Sequence, residues 1–142
     1  MKTLRRKMLL TMLVILTIIA TAIPAFAKPH EIPYDFNLQT GGANSYLAPG
    51  EARYRETLNT SNTWMVNMKE ISKSDPNGKA TYWLARRADH DQVSKAHTIH
   101  SGTGQWNYSA YSAASEQWIV LGADNDDMVA CYVKGVWDEE TD

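Results

Sequence analysis

Polar and apolar residues alternate with a period of two in several short runs of this chain, and no sustained helical period competes with them. Tyr34, Phe36 and Leu38 alternate with polar neighbours, Trp64, Val66 and Met68 do the same, and Tyr82 and Leu84 flank Trp83 in ATYWLAR. Successive side chains of a strand point to opposite faces, so each run predicts a short strand with one buried face. QWIVLGA and MVACYVKGVW are apolar almost without a break, which predicts central strands covered on both faces. Asp124 to Asp127, DNDD, stand between them, and short polar side chains favour a tight turn, so residues 117–137 are expected to form a β-hairpin. QTGGAN, LAPGE, SKSDPNGK and SGTG punctuate the rest with turn-forming residues. The expected fold class is all-β, a single antiparallel β-sandwich or a partly open barrel. LARRADHDQVSKAH leaves a helical turn open near residues 88–96, Gly135 is expected to mark a bulge, and the closing DEETD reads as a solvated acidic end.

The first residues change the setting of that domain. MKTLRRK carries four cations, Met8 to Ile23 carry no charge, and Pro24 precedes the small-x-small triplet Ala25-Phe26-Ala27. This is the three-part layout of a secretory signal peptide, residues 1–27, and the apolar run falls just short of the roughly 17–25 residues of a spanning helix. The expectation is cleavage before Lys28, release of residues 28–142 as one secreted, extracellular β-domain, and no membrane association afterwards. All sixteen acids lie beyond residue 27 against ten of the fourteen Lys and Arg, so the secreted part has a formal charge of −6. With Arg86-Arg87 as its only basic pair, such a domain lacks the means to neutralise phosphates, and nucleic acid is excluded as a partner. Cys131 is the sole cysteine and is in step with Val129 and Val133, which predicts a small buried apolar side chain and not a reactive thiol. A chain without disulfides suits Gram-positive secretion.

Candidate chemistry is sparse. His90, His97 and His100 stand near Asp89 and Asp91, but the odd separation of His97 and His100 sends them to opposite faces of a strand, and no H-E-x-x-H pattern or second cysteine completes a zinc site. Counted from Asp124, a calcium loop of the EF-hand kind would need Gly and Glu where Val129 and Gly135 stand, leaving only adventitious calcium at Asp124–Asp127. No metal and no cofactor are expected. Ser94, Ser101 and Ser109 lie in no G-x-S-x-G elbow, so an enzyme is not expected. What remains is aromatic: Trp106, Tyr108 and Tyr111 in a run of small polar residues, with Arg86 and Arg87 as further candidates for a ligand-binding surface. Trp106 and Tyr108 share a strand face, and only a bend at 107–110 would bring Tyr111 to it.

YDFNLQ, NSY, RYRET, WMVN, YWLAR and GVWDEETD, together with the leader, resemble a family of small secreted Gram-positive bacterial proteins of uncharacterised function. That resemblance implies an all-β exported domain with no catalytic residues to carry over, and a looser likeness links the composition to β-sandwich bacteriocins. The functional expectation is a secreted, non-catalytic binding or interaction protein whose partner is a cell-surface glycan or another secreted protein. A bacteriocin-like antagonistic factor is the alternative, and a secreted hydrolase comes third.

Overall fold

The computed structural model describes residues 31–72, 78–125 and 129–141. The expected signal peptide, together with Asp126 and Asp127 of the DNDD turn, lies outside the described residues. Nine strands lie among the described residues, in chain order: β1 (Ile32–Leu38), β2 (Ser45–Tyr46), β3 (Arg53–Arg55), β4 (Thr63–Ile71), β5 (Lys79–Arg86), β6 (His97–His100), β7 (Gln105–Ser109), β8 (Gln117–Asp124) and β9 (Cys131–Asp138). One sheet has the order β1-β9-β4-β7; the other has the order β2-β8-β5-β6, with β3 also pairing with β8. Every pairing is antiparallel, and neither sheet closes into a barrel among the described residues. The protein is therefore an all-β, sandwich-like fold.

Alternation in β1 is strict: Ile32, Tyr34, Phe36 and Leu38 are buried while Pro33, Asp35 and Asn37 are exposed. Trp64, Val66 and Met68 from β4, Tyr82 and Leu84 from β5, Ile119 and Leu121 from β8, and Val133 and Trp137 from β9 complete one core between the sheets. Cys131 belongs to that core, as its apolar neighbours predict. The centre of the core is polar at one point. Tyr34 donates its hydroxyl to that of Tyr82 at 3.0 Å, tying β1 of one sheet to β5 of the other. Gly135 lies opposite Tyr34 in the ladder, and a Cβ there would strike the Asn67 carbonyl and come within 2.6 Å of the Tyr34 hydroxyl. The register slips between Met68 and Glu70, so the bulge expected at Gly135 sits on its partner strand β4.

Three expectations are corrected. β8 and β9 do not form a hairpin: β8 lies between β5 and the β2/β3 edge of one sheet, and β9 lies between β1 and β4 of the other. Each is so apolar that it takes an inner position with a partner on both sides, and the two cannot be each other's neighbour as well. Asn125 starts the crossing, donating its amide to the Val129 carbonyl at 2.6 Å. Nor do residues 88–96 form a helix. A single hydrogen bond from His90 N to Arg86 O closes one turn, and the chain then extends through bridges at Gln92 and Ser94. Val93 is the one apolar side chain there large enough to reach the core, too little to anchor a helical face.

The acidic end is not solvated. Asp138 is buried and Glu139 to Thr141 are half-buried, because they wrap the Arg55 side chain, itself only 1 % exposed. Arg55 donates to the main-chain carbonyls of Glu139 and Asn62. The Glu140 carboxylate accepts from the backbone N–H of Glu56 and of Thr57, each at 3.1 Å, and Thr141 N donates to Thr63 O at 2.9 Å. Burial pulls the Arg55 guanidinium below its ordinary value, and the neighbouring Glu140, Glu139 and Asp138 oppose that shift.

Burial, reinforced by the neighbouring Asp138 and Glu140 charges, pushes the Glu139 carboxyl up to about 7. Its ordinary value is 4.5, so the folded chain holds a proton that the unfolded chain has released, and this contribution to stability is present below pH 4.5 and lost as pH rises through about 7. Glu139→Gln keeps the shape without the charge. Urea unfolding of this variant should show a gain over the parent of about 1–2 kcal/mol at pH 8.5, after screening at this half-exposed position, shrinking towards zero at pH 4.5. A gain that is independent of pH would contradict the burial of that carboxyl.

Candidate functional site

The order of the sheets brings two edge strands together. β7 is the last strand of one sheet and β6 the last of the other, so the core has no further strand to cover it on that side. Within β7, Tyr108 lies opposite Trp64 and Trp106 lies opposite Val66. Cross-strand partners share a face, and Trp64 and Val66 are fully buried, so both β7 aromatics turn inwards. On β6, His97 shares its face with the buried Ile99.

Rings close the gap that strands leave. Tyr108 and His97 stack with centroids 3.6 Å apart and planes 8° from parallel, and Trp64 tilts against both at 5.4 and 6.3 Å. Burial, then the charge of Lys95, holds the His97 imidazole below its ordinary value of 6.5, so it stacks as a neutral ring at pH 7. Burial pushes the Tyr108 phenol up, and it too stays neutral. Trp106 is the next ring outward, 6.5 Å from Tyr108 and within 7° of parallel. It is 44 % exposed. Its indole N–H donates to Thr103 Oγ1 at 3.0 Å, and Thr103 donates in turn to the His100 carbonyl at 2.7 Å. Gly102 and Gly104 adopt positive φ of 74° and 85°, letting residues 101–104 turn tightly enough to place Thr103 under the indole.

Tyr111 does not join this group. It is 45 % exposed and starts the short 3-10 turn Ser112–Ala114, and among the described residues it makes no ring contact with Trp106 or Tyr108. Arg86 and Arg87 are elsewhere too: Arg86 ends β5, four residues and about 13 Å beyond the Tyr82 that pairs with His97. Arg86 is bound by Asp89 at 2.8 Å and by Asp91. Arg87 places its guanidinium 5.8 Å from the Trp118 ring, and Trp118 in turn meets Tyr54, its cross-strand partner, edge to face at 5.6 Å. Trp118 and Tyr54 are 51 % and 41 % exposed. Of the sequence candidates, Trp106 and Tyr108 meet at the β6/β7 edge, Arg87 lies with Trp118 and Tyr54 on the outer face of β3 and β8, and Tyr111 joins neither group. His97 could have been found from HTIH, where Ile99 marks the buried face; Trp118 was hidden by the apolar run that follows it. Among the described residues no three His, Cys, Asp or Glu side chains gather as a metal centre.

Trp64, Trp83 and Trp137 are buried, so only Trp106 and Trp118 meet solvent. Acrylamide should quench the native emission partly, and the double variant Trp106→Phe, Trp118→Phe should lose most of the quenchable fraction while its circular dichroism stays unchanged. Undiminished quenching in the double variant would mean that the core indoles are open to solvent.

No curated protein matches the sequence. One solved structure, "Crystal structure of PirA", is similar at a TM-score of 0.42 and 9 % identity, over 73 % of this chain and 92 % of that one. Residues 22–141 match the family described as "Protein of unknown function (DUF2712)", and the chain belongs to that family.

Proposed function

We propose that this chain is an exported, non-catalytic binding protein of Gram-positive bacteria that holds a glycan ring against Trp106 and Tyr108. The observation that carries this reading is an exposed indole whose orientation is fixed: Trp106 stands parallel to Tyr108 and is pinned through Thr103. A large aromatic ring left in water marks a contact surface when it is part of a contiguous group. One that is already ordered loses little further freedom on binding, which leaves more of the contact energy as affinity. The apolar C–H face of a sugar stacks on such rings without needing a charged partner. The side-chain partners of Trp106, Tyr108 and His97 among the described residues are one another, Trp64 and Thr103. No carboxylate is among them, so these rings lack the paired carboxylates that glycoside hydrolysis uses, which supports holding a sugar over cleaving it. The charged, apolar and small-residue segments of the leader support export, and the lone core cysteine suits a Gram-positive source.

Titration of the chain lacking residues 1–27 with a β-1,4-linked N-acetylglucosamine oligomer should shift the tryptophan emission and saturate. Trp106→Ala should weaken binding at least tenfold, about 1.4 kcal/mol, with a small change in melting temperature, because the indole fills no core. Saturable binding that Trp106→Ala leaves intact, or no response to neutral oligosaccharides of several linkages, would overturn the reading.

A further inference from the structure

We propose a second binding site, for a carboxylate-bearing sugar of the uronic acid type, on the outer face of the β3–β8–β5 sheet, formed by Trp118, Tyr54 and Arg87. It is independent of the edge site. Alternation along β8 sends Ile119, Leu121 and Ala123 into the core and Trp118, Val120 and Gly122 outwards. At one end of this outer face the aromatic residues cover the sheet. Trp83 lies so close over Gly122 that a Cβ there would fall 2.5 Å from the indole, Tyr46 meets Trp83 edge to face at 6.0 Å, and His90 stacks on Tyr46 at 4.0 Å. Val120, Ala85 and Ala52 are buried among them. At the other end Trp118 and Tyr54 continue the same apolar face, and both stay about half exposed with the Arg87 guanidinium set over the indole.

A charged group stands beside these rings. Arg87 N donates to Trp118 O at 2.8 Å, which carries the β5–β8 ladder one residue further and brings the Arg87 side chain alongside the indole. Arg86 and Arg87 are adjacent in sequence but not in chemical state. Both carboxylates of the loop, Asp89 and Asp91, are taken by Arg86. The Arg87 guanidinium has no acceptor among the described residues. The open cavity between them, about 290 Å³, is lined by Arg86, Arg87, Ala88, Gln117 and Trp118. An exposed indole, a guanidinium that meets it through the ring face and has no acceptor among the described residues, and an amide in the same lining are complementary to a pyranose ring that carries a carboxylate: the C–H face on the exposed part of Trp118, the carboxylate held bidentately by Arg87, a hydroxyl on Gln117. A neutral sugar would leave the guanidinium unmatched, and a bare anion would leave the rings unused.

The test uses the chain lacking residues 1–27 with Trp106→Phe, in which Trp118 is the exposed reporter, and trigalacturonic acid as the probe. The expected result is a saturable change in emission, at least tenfold weaker binding of an uncharged trisaccharide, and at least tenfold losses for Arg87→Gln and, read by titration calorimetry because the reporter is gone, for Trp118→Ala. Arg87→Lys should lose several-fold, because an ammonium cannot reproduce the planar fork. Arg87→Gln changes an exposed side chain and should keep the parent melting temperature. Equal affinity for the uncharged trisaccharide, equal affinity for a poly-glutamate peptide, indifference to Arg87→Gln, or no binding of the uronate would each overturn the proposal. Uronate binding by the parent chain that Trp106→Phe abolishes would place the ligand at the edge site and overturn it as well.

Discussion

The hydrogen bond between the Tyr34 and Tyr82 hydroxyls fixes how the two sheets can lie on each other. A phenol buried without a partner costs free energy, and these two satisfy one another only if β1 and β5 face across the core in one register. Burial pushes the Tyr82 phenol well above its ordinary value, so the pair stays neutral. The same contact requires glycine at position 135, since no side chain fits between the Asn67 carbonyl and the Tyr34 hydroxyl, and it coincides with the bulge in β4. Once this centre is set, Trp64, Trp137, Met68 and Leu84 fill the space around it, and filling proceeds outwards until it meets the β6/β7 edge. There His97 and Tyr108 stack at contact distance. Trp106 lies two residues from Tyr108 on the same face of β7, stays 44 % exposed, and stands parallel to Tyr108.

Period-two alternation made much of this readable from the chain. β1 and the Trp64, Val66, Met68 face of β4 have the burial that their patterns imply, and the continuous apolar runs of β8 and β9 do occupy central positions. Pairing was not readable. DNDD is as good a turn between sheets as within one, and local residue chemistry does not say that both flanking strands find better neighbours elsewhere. Gly135 was informative about a close approach, yet the extra residue sits across the ladder, where no glycine marks it.

The functional surface was partly readable for a related reason. Trp106 and Tyr108 share a face as their spacing requires, but that this face is the inner one, and that it runs out at an open edge, depends on the order of strands. Tyr111 would have needed a bend towards its neighbours, and the backbone instead stays extended into a 3-10 turn. Nothing in the local pattern of RYRET marks Arg55 as buried. It is the buried post around which Asp138 to Thr141 wrap, a role that arises only when the end of β3 meets the segment after β9 in space. Arg86 and Arg87 look equivalent in sequence, and two nearby aspartates make them different.

Both exposed aromatic surfaces therefore trace to one cause: a small sandwich with five tryptophans buries three and holds the other two in place at its margins. The central claim is that Trp106 is held, and not merely left outside. Relaxation of the Trp106 indole ¹⁵N–H in the unliganded chain tests this most directly. A pinned ring should give an order parameter close to that of rigid backbone, about 0.85, whereas a value below about 0.6 would describe a freely moving edge side chain and contradict the account.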